Sequence, residues 1–156
     1  MFLCSKHREQ MATQSSDALH NMINTWVNKA VDHYQYQRWE FALPYIGCAL
    51  ETCWLLGQQQ KDSGQAISLS IVEKSLCLAI YCHNILSHQQ AMVQGESVLL
   101  TNWQWIMHSV GYENRPDFIK HCLDICQNNH QHADIIAKHT NWPFQPANQI
   151  ASPHYH

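Results

Sequence analysis

Leu19-His20-Asn21-Met22-Ile23-Asn24-Thr25-Trp26-Val27-Asn28-Lys29-Ala30-Val31-Asp32-His33-Tyr34 is the stretch that decides the fold. Its apolar residues stand at 19, 22, 23, 26, 27, 30, 31 and 34. Steps of three and one place them on a single stripe of an α-helix. Ser15, Ser16 and Asp17 just upstream carry the side-chain oxygens that a first helical turn needs for its unpaired N–H groups. After a short gap the stripe repeats through Trp39, Ala42, Leu43, Ile46, Ala49, Leu50, Cys53 and Trp54. Pro44 is tolerated only near a helix start, so this second helix is predicted to begin at about 38–40 and to bend or start late.

The same period continues outward. A polar connection is predicted from Gly57 to Gly64, then a long third helix over roughly 65–91 through Leu69, Val72, Leu76, Ile80, His83 and Leu86. Gly95-Glu96 reads as the next turn. A fourth helix follows through Val98, Leu99, Trp103, Ile106 and Val110, with Gly111 suited to its C-cap. The fifth opens at Asn114-Arg115-Pro116-Asp117 and carries Phe118, Ile119, Cys122, Ile125 and Cys126, and a short helical segment resumes at Ala133. Pro143, Pro146 and Pro153 predict extended coil from Thr140 onward. No strand pattern competes, so the expected fold class is all-α. The expected organisation is a tail over 1–14, one helical domain over 15–139 and an extended tail over 140–156.

Charge narrows the function classes. Of 156 residues, 13% are charged and the net charge is −3, while Gln, Asn and His number 16, 10 and 12. The polar surface is mostly neutral amide and imidazole. That excludes a charge-rich disordered chain and a basic nucleic-acid binder, since phosphate binding draws on clustered Lys and Arg. The seven cysteines stand at 4, 48, 53, 77, 82, 122 and 126, mostly inside apolar helical patterns, as buried thiols of a reducing compartment would. The longest unbroken apolar run, Leu76–Cys82, is far short of a bilayer span of about 20 residues. The opening residues lack the pattern of a secretory leader. The expectation is a cytoplasmic protein without membrane or nucleic-acid partners.

Trp26-x3-Ala30, followed by Trp39-x2-Ala42-Leu43-x2-Ile46-x2-Ala49-Leu50, resembles a tetratricopeptide repeat, in which two antiparallel helices cross closely at small residues. His33 stands where that family has an aromatic, and Gln37 replaces its turn glycine. A second match covers Cys82-His83-Asn84-Ile85-Leu86, a turn near Val93–Gly95, then Val98-Leu99 and Trp105-Ile106. Pairing Trp26 with Cys82 gives a period of 56 (82 − 26). The whole chain also resembles a small family of tetratricopeptide-like proteins from marine gamma-proteobacteria, a resemblance that implies no known activity. The resemblance implies a degenerate two-repeat bundle of antiparallel helix pairs, capped by the fifth helix and open to a modest homodimer.

The resemblance further implies a concave groove lined by the first helix of each pair. Its candidate partner-binding residues are Asn24, Val27, Asn28, Val31, Tyr34 and Gln35 from one pair, and Ile80, His83, Asn84, Ser87 and Gln90 from the other. Asn28 and Asn84 would be equivalent and could hold a peptide's main chain, because an amide both donates and accepts. The Lys and Arg that clamp an acidic C-terminus in some family members are replaced by Val27, Val31 and Ile80. The expected function is therefore non-catalytic binding of a protein or peptide, with no cofactor.

The alternative is a metal- or ligand-sensing helical domain built on His121, Cys122 and Cys126. Two cysteines four apart share a helix face, yet no Cys-x2-Cys accompanies them. Cys82 and His83, as sequence neighbours, diverge by about 100° on a helix. No phosphate loop, nucleophile elbow or zinc-protease string exists in the sequence, and no catalytic residue is assigned.

Overall fold

The computed structural model describes residues 2–3, 5–111 and 114–147, and those residues form an all-α protein. The helices are α1 (Ser5–Ala12), α2 (Ser16–Gln35), α3 (Trp39–Asp62), α4 (Leu69–His88), α5 (Met92–Val110), α6 (Pro116–Gln127) and α7 (His132–His139). A 3-10 turn over Asn129–Gln131 leads into α7. The expected fifth helix is thus α6. Ser15 caps α2 by accepting from the Ala18 N–H at 3.1 Å.

Successive helices α2 to α5 pack side by side, each against the next. Short turns fold α2 on α3 and α4 on α5, so both pairs are antiparallel hairpins. The core runs through all four, from Leu19, Ile23, Val27, Ala30 and Tyr34 of α2 to Leu99 and Ile106 of α5. Helix α4 is the central element. By length and composition it could cross a membrane, but 78% of its apolar stretch is buried within the molecule.

The two hairpins use the same turn. Tyr36–Arg38 joins α2 to α3, and Gln89–Ala91 joins α4 to α5. In the first, the Arg38 N–H bonds His33 O (2.9 Å) and the Gln37 N–H bonds Tyr34 O (2.9 Å). In the second, the Ala91 N–H bonds Leu86 O (2.8 Å) and the Gln90 N–H bonds Ser87 O (3.1 Å). That nested pair of bonds is a Schellman motif, whose middle residue takes the left-handed conformation. Gln37 and Gln90 take it, at φ 59° and 60°.

The turns lie 53 residues apart (90 − 37). Buried positions follow the same offset: Ile23, Val27 and Ala30 map onto Leu76, Ile80 and His83, all buried. Likewise Ala42, Ile46, Ala49 and Cys53 map onto Gly95, Leu99, Asn102 and Ile106, the buried residues of α5. At that offset Asn84 matches Val31.

Three boundaries differ from the sequence expectation. Gly57 does not end α3, which continues to Asp62; a Cβ there would lie 2.6 Å from the Trp105 ring, so the glycine admits an indole. Gly95 is not a turn but lies inside α5, where a Cβ would stand 3.2 Å from the His83 ring and 3.3 Å from its carbonyl. Both glycines are packing sites between helices. Helix α4 is also shorter than 65–91, because Gly64, at φ 76°, closes α3 and leaves residues 65–68 as a connection.

The first fourteen residues were expected as a tail, but residues 5–12 form α1, which packs on α3. Leu3 and Met11 are buried, and the N–H groups of Phe2 and Leu3 both donate to the buried Glu51 carboxylate. A carboxyl oxygen taken from water needs such donors. Residues 148–156, including the His154 and His156 of the expected tail, lie outside the described residues.

Candidate functional site: an inner face filled by residues 140–147

Tyr34, near the C-terminal end of α2, and Asn84, in the last turns of α4, meet across the bundle. The Tyr34 hydroxyl donates to Asn84 Oδ1. Asn84 Nδ2 in turn donates to the carbonyl of Gln145 (2.9 Å), and the Gln145 N–H donates back to Tyr34 Oη (2.9 Å). Three groups thus close a ring of hydrogen bonds around the main chain of one residue. His88 Nε2, one helical turn beyond Asn84, lies 2.7 Å from the same carbonyl and donates to it in the Nε2–H tautomer. Burial pushes the Tyr34 hydroxyl up to about 12, partly offset by the Gln145 backbone bond, so it keeps the proton that it gives to Asn84.

Aromatic rings position these groups. Trp39 stacks on His88 (4.2 Å between centroids, 8° between planes) and meets Tyr34 edge-on at 4.9 Å. Tyr81 stacks on the other side of the site, 4.4 Å from Tyr34, and Trp142 of the C-terminal segment tilts onto it at 5.5 Å. Such ring pairs add about 0.5–1.5 kcal/mol each beyond their buried area. Trp142 and Phe144 are half-buried against the core. A gap of about 30 Å³, room for one water, remains beside Phe144 among His83, Asn84, Ser87 and His132.

The sequence-derived groove residues divide sharply. Tyr34 and Asn84 hold the segment, and His83 and Ser87 line the gap beside Phe144. Val27 and Ile80 are buried in the core, and Val31 packs against it. Asn24, Asn28, Gln35 and Gln90 are exposed, and Gln90 belongs to the turn. Sequence reasoning missed His88, Trp39 and Tyr81 as parts of the site, and Trp142 and Gln145 as its occupants. The one available signal was the pair of large aromatics, Trp142 and Phe144, in an otherwise polar tail.

His83 and His132 form a second polar pair below the segment, with ring centroids 5.5 Å apart at 88°. Burial, then the neighbouring His83, holds His132 down to about 4, against the opposing bond between its Nε2 and Ile125 O (3.0 Å). Burial also lowers His83, with Glu96 opposing.

His121, Cys122 and Cys126 do not converge. His121 is exposed at the mouth of a cavity of about 190 Å³ between α4, α6 and α7, which Cys122 also lines. Cys126 instead lines a groove between α5 and α6 with Leu99, Leu100 and Trp103. Among the described residues, no three His, Cys, Asp or Glu side chains gather to hold a metal ion. Burial pushes Cys53, Cys77 and Cys122 up to about 12 and Cys48 and Cys126 up to about 11, and it raises Cys82 as well. These thiols stay protonated near neutral pH, and the thiolate is the nucleophile.

Comparison of the chain with protein-family models, curated proteins and solved structures finds no match.

Proposed function

We propose that this chain is a non-catalytic protein–protein interaction module whose inner face holds an extended peptide by its main chain. The observation that carries the proposal is the hydrogen-bond ring on Gln145, in which Tyr34 and Asn84 engage the main-chain N–H and C=O of one residue. A backbone read in that way is recognised whatever side chain it bears, which suits a general grip on extended chain. The scaffold is a degenerate two-repeat tetratricopeptide-like bundle with α6 as its cap. Its support is the shared turn and the 53-residue offset of the buried positions.

Other features agree with this reading. Protonated thiols disfavour cysteine catalysis, and a net charge of −3 disfavours nucleic acid. The apolar residues of α4 are spent on the core and not on lipid. A cytoplasmic setting and a modest homodimer complete the proposal; Met92, Val93 and Leu100, exposed on α5, would supply the self-association surface.

Selection of binders from a random peptide library tests the grip. Peptides bound to the wild type are expected to lose about tenfold in affinity on Asn84→Ala, the worth of one well-made hydrogen bond in a dry site. Asn28→Ala should leave them unchanged. Equal affinity for wild type and Asn84→Ala would remove the inner face as the binding surface.

A further inference from the structure

We infer that the inner face is specific for an uncharged, proline-interrupted extended segment with two aromatic anchors, presented by a partner chain, and that residues 140–147 occupy its place in cis. The inference rests on the peptide-binding reading above and names the chemistry of the ligand. Thr140-Asn141-Trp142-Pro143-Phe144-Gln145-Pro146-Ala147 contains no charged residue. Trp142 and Gln145 each precede a proline, which biases both toward extended backbone and away from helix. They are also two of the positions that the body of the protein grips, Trp142 through the Tyr81 ring and Gln145 through its main chain. Phe144 packs against the core and borders the small gap lined by His83, Asn84, Ser87 and His132.

The grip is that of a receptor on a ligand. The Thr140 N–H closes α7 on Ile136 O (2.8 Å), and beyond it residues 141–147 make no backbone–backbone hydrogen bond among the described residues. Side chains of α2 and α4 hold the segment instead, so a competing chain can take the same bonds one for one. The prolines cut the ordering cost of such a chain, because a pre-extended peptide has less freedom to lose. The gripped residue is internal to the chain and its carbonyl is taken by Asn84 and His88, so a free carboxylate is not what the site reads. An internal stretch of a partner, not its terminus, is the fitting occupant.

The test uses a labelled peptide of residues 140–147, blocked at both ends, and the full chain in three forms. Wild type should bind it weakly, because the cis segment competes. Trp142→Ala/Phe144→Ala, which loosens that segment, should bind it at least tenfold tighter, and adding Asn84→Ala should return binding to the weak level. Gln145→Pro, which keeps both anchors and removes the N–H given to Tyr34, is the milder second variant and should tighten binding in the same direction. A peptide methylated on the glutamine nitrogen should bind about tenfold more weakly than the parent.

Equal binding to wild type and both loosened variants overturns the inference. So does no binding to folded loosened variants, which makes residues 140–147 a permanent strap. Concentration-dependent dimerisation of the wild type through exchange of this segment between copies also overturns it, because the occupant is then a second copy. If library binders depend on Asn84 but lack the aromatic–proline pattern, the ligand chemistry falls while the peptide-binding reading stands. If no peptide depends on Asn84, that reading falls too.

Discussion

The hairpins α2–α3 and α4–α5 share a turn and a register of buried positions, yet they differ where they face the C-terminal segment. At the crossing face the first carries Ala30 and Val31, and the second carries His83 and Asn84. On the companion helices Ala49 of α3 stands against Asn102 of α5, whose Oδ1 accepts from Trp54 Nε1 at 2.9 Å. The scaffold asks only that a side chain at these positions be small or apolar enough to pack. At these matched positions the polar side chains belong to the second hairpin, while the first reaches the segment through Tyr34, whose hydroxyl takes the Gln145 N–H. Both hairpins pack and both hold the segment, the first through the Tyr34 hydroxyl and the second through Asn84 and His88.

The largest expected break in that comparison is steric. Ala42 and Gly95 occupy matching positions in the two hairpins, but a methyl at Gly95 would press on the His83 ring and carbonyl at 3.2 and 3.3 Å. Gly95→Val should cost about 3 kcal/mol, an overpacking penalty. Ala42→Gly, which only removes a methyl and loosens the helix, should cost about 1–2 kcal/mol. Urea unfolding of both variants checks the ranking. A cost for Gly95→Val no greater than that of Ala42→Gly would mean the two crossings are equally tight.

The second difference is one of protons. The first hairpin has Ala30 where the second has His83, and His83 lies against His132. Both imidazoles are held below the ordinary value of 6.5, His132 to about 4. Above pH 6.5 both are neutral in the folded and unfolded chain, and nothing is lost. Below it the unfolded chain takes protons that the folded chain refuses, so stability falls as pH drops from 6.5 toward 4. At about 1.4 kcal/mol per unit of depression, and with part of the effect given up to solvent, the fall is on the order of 2 kcal/mol. Denaturant titrations at pH 7 and pH 4.5 should show it, and His132→Gln should flatten the slope. An unchanged slope in that variant would place the acid sensitivity elsewhere.

Much of this was legible in the sequence, for reasons that differ by element. The stripes of α2 to α6 are visible because burial on one helix face imposes a period of 3.6. Glycine was the misleading letter: Gly57 and Gly95 read as punctuation, whereas each sits inside a helix to admit a neighbour's ring or main chain. The turn after α4 was placed a few residues late, at Gly95, because Gln90 and not glycine takes the left-handed conformation there. Helix α1 is eight residues long with one buried side chain, Met11, too little to mark a stripe. At the site, Tyr34 and Asn84 lie on readable helices and could be named. Their occupant could not, because an extended segment held by side chains has no period, and only Trp142 and Phe144 hinted that it was anchored.

The smallest effect sharpens the comparison most, because it isolates the shared turn from everything that differs. A side chain held at φ near +60° costs roughly 1 kcal/mol or more that glycine does not pay. Glycine's greater freedom in the unfolded chain returns part of that, leaving a net gain of about 0.5 kcal/mol for Gln37→Gly or Gln90→Gly. Gln37 also donates through its amide to Gln145 Oε1 at 3.3 Å, an exposed and weak bond, so its replacement should gain slightly less. Thermal unfolding of the two single variants and the double checks the sign, and the double should approach the sum because the turns share no bond. A gain at one turn and a loss at the other would show that the hairpins are alike in outline only, with one held by its backbone bonds and the other by its side chain.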